Sequence, residues 1–474
     1  MKQHLYIDGE WKGVETYKTL YAPYSEEVLA EIAQGTEEDV QKAISSAKKA
    51  TKEMGKLSAY DRASILETVA QKMHERREEF AEIIAKEAAK PIRAARGEVD
   101  RTVQTYKFAA EEAKRIYGET LPLDAAPGAD GRIAYTVRKP IGVIGAITPF
   151  NFPLNLVAHK VGPAIAAGNT IVLKPADQTP LSSYALVELF EEAGLPKGAF
   201  NIVSGRGSIV GEALVKDDRV ASITFTGSPE VGIGIKAKAG LKRVTLELGS
   251  NAAVVIDENV ELTEEVIERV KWGAFVNNGQ VCISVQRVFV HENKMEEFTE
   301  KLTKAMEKVV VGDPLHEDTD VSALISKNDV NRIELWIQEA VKEGATVLCG
   351  GKKRDARIFE PTVLTNVPNH VSVQCQEVFG PVMTVNIFQT FDEVLEMVNN
   401  SRYGLQAGVF TNDLTKAMRA IDELEVGGVM INDIPTFRVD HMPYGGVKES
   451  GTGREGIKYA IEEMTEMKLV CIKK

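Results

Sequence analysis

Cysteine is scarce in this sequence: Cys282, Cys349, Cys375 and Cys471 are the only four among 474 residues. No two of them form a C-x-x-C pair, so a zinc site is not expected, and no other metal site is read. Four scattered thiols are too few for a disulfide framework, which fits a reducing compartment. No apolar run is long enough to span a membrane, and the N-terminal MKQHLYIDGEWKG has no apolar signal core. A cytoplasmic protein is expected. Positive charge is in deficit too. The formal net charge of -12 argues against a nucleic-acid partner and against an anionic membrane surface.

What is present is ordinary for a globular chain, with 44% hydrophobic and 27% charged residues. A chain of 474 residues is too long for one core, so two or three domains are expected. Residues 1–30 read as short strands and turns. From Thr36 the pattern is helical, opened by Glu37, Glu38 and Asp39 in a first turn where acidic residues suit the helix dipole. It runs on through 61–90 and 92–116. Prolines and glycines then punctuate 119–140, which reads as a β-hairpin with edges free to pair. From Pro140 strands and helices alternate, which predicts a parallel sheet with helical crossovers and ligands beyond the carboxyl ends of its strands. Near Gly249 the alternation restarts as a second α/β unit. The tail closes with a strand over 466–472 that has no local partner and suits the 119–140 hairpin, within or between subunits.

The organising stretch is GAFVNNGQVCISVQR, 273–287. Cys282 follows a polar, turn-capable run, Asn277-Asn278-Gly279-Gln280. A tight loop or helix start there leaves backbone N–H groups free to stabilise a thiolate and later an oxyanion. Cys282 is the candidate nucleophile; the plain alternative is a small buried hydrophobe. Five further groups carry chemistry. In TPFNFP, Asn151 can complete an oxyanion hole with the Cys282 N–H. In LKPADQTP, Lys174 and Asp177 sit where a strand end meets a ribose, and an acid there repels a 2′-phosphate; alone, the two read equally as a surface ion pair. In TFTGSPEVG, Gly227 and Ser228 lead into a helix with Pro229 at its first position, a phosphate site without the G-x-G-x-x-G fingerprint. Gly207 closes a second glycine turn after the preceding strand. In VTLELGS, burial would raise the pKa of Glu247 and suit it as a general base. In QEVFGP, Glu377 and Phe379 suit a ribose beside a flat ring.

In this order the groups resemble the aldehyde dehydrogenase superfamily over essentially the whole chain, together with the tail PYGGVKESGTGRE. The resemblance implies an α/β fold: a Rossmann-like cofactor domain over 1–118 and 141–248, and an α/β catalytic domain over 249–449. It also implies an oligomerisation arm from 119–140 and 450–474, giving homodimers or homotetramers. It casts Cys282 as nucleophile, Asn151 as oxyanion donor and Glu247 as the base for hydrolytic water. Lys174 and Asp177 would hold the adenosine ribose. Gly207, Gly227, Ser228 and Gly232 would lie near pyrophosphate and adenine, and Glu377 and Phe379 at the nicotinamide ribose. The cofactor is expected to be NAD, with NADP as the alternative. Glu247 argues against the acylating branch that uses coenzyme A. Two positions depart from the family pattern. LELGSN stands for the usual LELGGK type, with little effect on catalysis expected, and Asp177 stands where glutamate is common.

NGQVCISVQR and NDIPTFRVDHMPYGG resemble the branch of lactaldehyde dehydrogenases and non-phosphorylating glyceraldehyde-3-phosphate dehydrogenases. Phosphate-using members often carry Arg where this chain has Val281. Yet Arg438, Arg101 and His159 fall where that family's substrate tunnel would be, which suits a short polar hydroxyaldehyde; the alternative is an anionic semialdehyde or glyceraldehyde-3-phosphate. Arg438 could instead pair with Asp440 or Glu449. Among other classes, a thiol hydrolase lacks a supported His base, and a non-catalytic binding or structural role leaves Cys282, Glu247 and Asn151 without a reason.

Overall fold

A computed structural model describes residues 1–474. Thr36 and Ser58 open the first two helices, Glu37–Met54 and Ala59–Glu75, with capping boxes in which Asp39 and Asp61 return the bond to the cap backbone. These helices, with Arg77–Ala88 and Ile92–Ala113, cover an eight-stranded sheet. Its middle five strands run parallel, in the order Arg243–Glu247, Val220–Thr226, Val143–Ile147, Thr170–Lys174 and Phe200–Ile202. The two central strands, Val143–Ile147 and Thr170–Lys174, are buried at every position because helices cover both faces. The chain starts at the centre, winds out through Thr170–Lys174 and Phe200–Ile202, then crosses back to Val220–Thr226. That reversal opens a crevice at the carboxyl edge. Asn151, Lys174, Gly207, Gly227 and Glu247 all lie at this edge because every parallel strand ends on the same side.

The second sheet has seven strands, ordered Thr346–Cys349, Thr362–Thr365, Val382–Phe388, Arg287–His291, Ala253–Ile256, Gln406–Phe410 and Gly428–Ile431. All but the first are parallel. Cys282 precedes Arg287–His291, and Glu377 and Phe379 precede Val382–Phe388, so this sheet offers the amino ends of its strands to the site. Two strands here, Thr362–Thr365 and Gly428–Ile431, lie in stretches where the sequence reading placed none.

The 119–140 excursion folds as expected: Thr120–Leu121 pairs with Arg132–Pro140, and Thr465–Lys473 adds to the other side antiparallel, from Thr465 opposite Pro140 to Lys473 opposite Arg132. The pairing is made within the chain. The rest of 450–474 goes elsewhere. Gly451–Thr452 joins the edge of the eight-stranded sheet beside Leu246–Glu247, and helix Ile457–Glu463 packs on helix Asn155–Ala166.

Candidate active site

The run before Cys282 is a turn and not a helix start. Helix Glu264–Phe275 ends there, and Asn277, Asn278 and Gly279 all take left-handed backbone, with φ of 52°, 60° and 70°. Asparagine tolerates this conformation and glycine is native to it. At Gly279 a Cβ would also lie 2.1 Å from the Gly380 carbonyl oxygen, so only glycine fits. Because a strand and not a helix follows, the expected helix dipole at Cys282 is absent. The turn is latched by its side chains. Asn277 Nδ2 donates to the Asn151 carbonyl (3.0 Å), and Asn278 accepts from Ser322 N–H (2.7 Å) and donates to the Ala323 carbonyl (3.0 Å). Asn151 returns the contact, donating through Nδ2 to the Gln280 carbonyl at 2.9 Å. The two loops that carry Asn151 and Cys282 are thereby held together across the sheets.

Helix Asn155–Ala166, directly after TPFNFP, has no local side-chain cap. Glu98, from helix Ile92–Ala113, supplies one: its Oε1 accepts from Leu154 N–H (2.9 Å) and Asn155 N–H (3.1 Å). Its other oxygen pairs with the fully buried Lys90, whose ammonium lies 3.8 Å from the centre of the Phe152 ring.

Cys282 opens into a cavity of about 580 Å³. Burial pushes its thiol up to about 11, against Tyr444 and Arg438, which favour the thiolate. The Tyr444 hydroxyl lies 2.9 Å from the sulfur, and the Arg438 guanidinium stacks 3.7 Å from the centre of the Tyr444 ring. Glu247 is 3% exposed, and neither carboxylate oxygen has a partner. Burial, then the nearby Glu455, pushes its pKa well above the ordinary carboxylate range. Glu455 goes the other way: despite burial, Lys160 (2.7 Å) and Arg438 (3.1 Å) hold it ionised. Of two neighbouring carboxyls, Glu247 is therefore the one placed to take up and release a proton.

The cavity wall carries three acids, Glu98, Glu268 and Asp320, and each is matched by a base that also lines it: Lys90, Lys271 and Arg93. Two lining bases remain, Arg101 and Arg438, whose partners lie behind the wall. Arg101 binds Asp440 (2.7 Å). Arg438 binds Glu455, and not Asp440 or Glu449; Glu449 is taken by Arg402. The Arg438 Nε is buried without a partner. His159 does not line the cavity. It is 1% exposed, its Nε2 donates to Asp440 (2.9 Å), and burial with the neighbouring Arg438 lowers its pKa. Its place is behind Arg438, as a support.

The remaining predicted residues lie at the strand ends of the two sheets. Lys174 and Asp177 pair at 2.8 Å. Ser228 caps helix Pro229–Lys238, with Pro229 at its first turn, and Gly207 has open space where a Cβ would stand. Gly232 instead packs under Leu248, where a Cβ would lie 2.5 Å away. Glu377 accepts from Ser250 N–H (2.9 Å), and burial pushes it up to about 8. It fits because Gly249 has no Cβ; one would lie 2.3 Å from its Oε2. Phe379 meets Phe150 edge to face at 5.7 Å. Hydroxyl-binding carboxylates, a capped helix start and an open glycine cradle suit a dinucleotide.

Tyr444, Glu455 and Lys160 had no assigned role in the sequence reading, and Asp440 entered it only as a possible partner of Arg438. Tyr444 and Glu455 stand in the recognised tail, while Lys160 carries no local signal.

The aldehyde dehydrogenase family model matches residues 11–470. A 3-sulfolactaldehyde dehydrogenase of Priestia aryabhattai is 50% identical over 473 residues, covering 100% of this chain and 98% of the relative. A lactaldehyde dehydrogenase of Methanococcus aeolicus is 41% identical, covering 99% of each. Among solved structures, the glyceraldehyde-3-phosphate dehydrogenase GapN of Methanocaldococcus jannaschii, complexed with NADP, superposes with a TM-score of 0.93 at 40% identity, covering 97% of this chain and 100% of that one.

Proposed function

This chain belongs to the aldehyde dehydrogenase family and is an NAD(P)-dependent aldehyde-oxidising enzyme; from that premise we propose that its substrate is a short hydroxyaldehyde with an anionic tail, of the 3-sulfolactaldehyde kind. The observation that carries this reading is the pair of cations, Arg101 and Arg438, that line the cavity holding Cys282 while their acidic partners lie behind its wall. Two guanidinium groups on one cavity wall suit a sulfonate, phosphate or carboxylate. Uncharged lactaldehyde would leave them unanswered.

In the proposed mechanism the Cys282 sulfur attacks the carbonyl carbon, and Asn151 and the Cys282 N–H hold the oxyanion of the thiohemiacetal. A nicotinamide ring held beside Glu377 and Phe379 would supply the hydride acceptor. Glu247 then takes a proton from water, which hydrolyses the Cys282 thioester and releases the acid. Lys174, Asp177, Gly207, Gly227 and Ser228 would hold the adenosine and pyrophosphate end, with Gly232 setting the close packing of the helix behind it. Glu377 and Phe379 would hold the nicotinamide ribose. Lys174 neutralises much of Asp177, so NADP is accepted as well as NAD. The domains are those drawn from the sequence, with the arm confined to 119–140 and the strand Thr465–Lys473. Outward residues of that arm, Ile133, Tyr135, Met467 and Leu469, are exposed apolar groups that suit burial in a homo-oligomer. Four free thiols suit a cytoplasmic setting.

The test is the initial rate of cofactor reduction, with NAD and NADP, on 3-sulfolactaldehyde, lactaldehyde, glyceraldehyde-3-phosphate, succinate semialdehyde and hexanal. Cys282→Ala is the control. The anionic aldehydes should lead, and Arg438→Gln should lower kcat/KM on them by roughly ten- to a hundredfold, the worth of one charged hydrogen bond. Its rate on lactaldehyde should change far less. Equal losses on both, or a wild-type preference for lactaldehyde, would refute the anionic assignment.

A further inference from the structure

The cysteine is the reacting atom of the proposed mechanism, and its surroundings pose a problem. Burial opposes its ionisation, and no helix starts beside it to offset that. Something else must favour the thiolate. Two carboxyls act on the sulfur electrostatically, Glu247 from the end of strand Arg243–Glu247 and Glu377 from the loop before strand Val382–Phe388, and both disfavour the thiolate. The groups that favour it are on the tail loop: the Tyr444 hydroxyl at 2.9 Å and Arg438.

We propose that Tyr444 is a catalytic residue: its hydroxyl donates to the Cys282 sulfur and stabilises the thiolate, while Arg438, stacked on its ring, positions and polarises it. This rests on Cys282 being the nucleophile of the reading above. The tyrosine is pre-set for the role. It is 2% exposed, its backbone exchanges two hydrogen bonds with Glu455 (3.0 and 2.7 Å), and its ring packs with Val281, Ile283 and Leu405. Burial raises its own pKa well above the ordinary value, which favours the protonated, donating hydroxyl. Arg438 lies 3.7 Å from the ring centre and is held there by Glu455. A donor fixed this way needs no reorganisation when the charge forms.

The test uses the whole enzyme without aldehyde or cofactor. Iodoacetamide alkylates the thiolate: the thiol loses its proton to water, the S–C bond forms, and iodide leaves. The rate is followed against pH, with Cys282 labelling read by mass spectrometry and the melting temperature measured alongside. Tyr444→Phe keeps the ring and removes only the hydroxyl. It should raise the apparent pKa of labelling by about one unit or more, and slow labelling about tenfold at neutral pH. The kcat/KM profile should move the same way. Arg438→Gln should shift labelling in the same direction by less, and serves as the second probe should the phenylalanine variant not fold. An unchanged labelling profile in the folded phenylalanine variant, or in Arg438→Gln, would overturn the proposal. Labelling needs no substrate, so a wrong substrate assignment leaves this result readable. Failure of Cys282 to label at any pH would sink both readings.

Discussion

At the scale of single residues, the site depends on which of several buried charges stays charged. Glu247 and Glu455 are neighbours, yet Lys160 and Arg438 are spent on Glu455 and leave Glu247 without a partner. The raised pKa gives the pH dependence of turnover its sign. A base must be ionised to work, so hydrolysis should fail as pH drops below the raised value and recover above it. Glu247→Gln should abolish that acid limb and lower steady-state turnover by roughly 10²- to 10⁴-fold. One equivalent of reduced cofactor should still form in a rapid-mixing burst, because attack and oxidation precede the hydrolytic step. A variant that keeps wild-type steady-state turnover would remove Glu247 from the mechanism.

At the scale of elements, two helices beside the site are capped from a distance. Helix Leu181–Glu192 has no side-chain cap of its own. Glu87, from helix Arg77–Ala88, accepts from Leu181 N–H (2.7 Å) and Ser182 N–H (3.1 Å). Glu98 does the same for helix Asn155–Ala166. Glu87→Ala should leave two buried amides unpaired and cost about 2–4 kcal/mol in denaturant unfolding. Burial pushes the Glu87 carboxyl up from 4.5 to about 7. The folded state then binds its proton more tightly than the unfolded chain does. Its contribution is fully present below the ordinary carboxylate range and is lost as pH rises through about 7. Glu87→Gln should flatten that part of the stability profile; an unaltered slope would mean that Glu87 is already ionised when folded.

At the scale of the whole molecule, the site exists only where two sheets meet. The carboxyl edge of one brings Asn151, Lys174, Gly227 and Glu247, the amino ends of the other bring Cys282 and Glu377, and the tail closes the gap with Arg438 and Tyr444. The same tail ends in Thr465–Lys473, which covers one edge of the arm. Deleting 465–474 should uncover the edge of Arg132–Pro140 and, on the proposed assembly, break the homo-oligomer. Sedimentation velocity would check this: a truncated protein that keeps the wild-type oligomer would rule out that strand as an assembly element.

The alternation of strands and helices and the parallel sheets were readable along the chain, as were the motifs on which Cys282, Glu247 and Asn151 are proposed as the reacting groups. Each rests on a local rule: apolar runs of strand length, turn residues at strand ends, or a recognisable motif. Helix Glu264–Phe275 and strands Thr170–Lys174 and Arg287–His291 appear with the bounds their patterns predict. The backbone of the NNG turn was not readable, because a helix start and a left-handed turn share those residues and only contact with Gly380 selects between them. Nor were the partners of buried charges. Glu98 to the Leu154 amide, Arg438 to Glu455 and His159 to Asp440 each join residues far apart in sequence, and no local pattern encodes them. The chain alone therefore determined the chemistry it carries, while the tertiary structure decided which charges are matched behind the wall and which two cations are left facing the substrate.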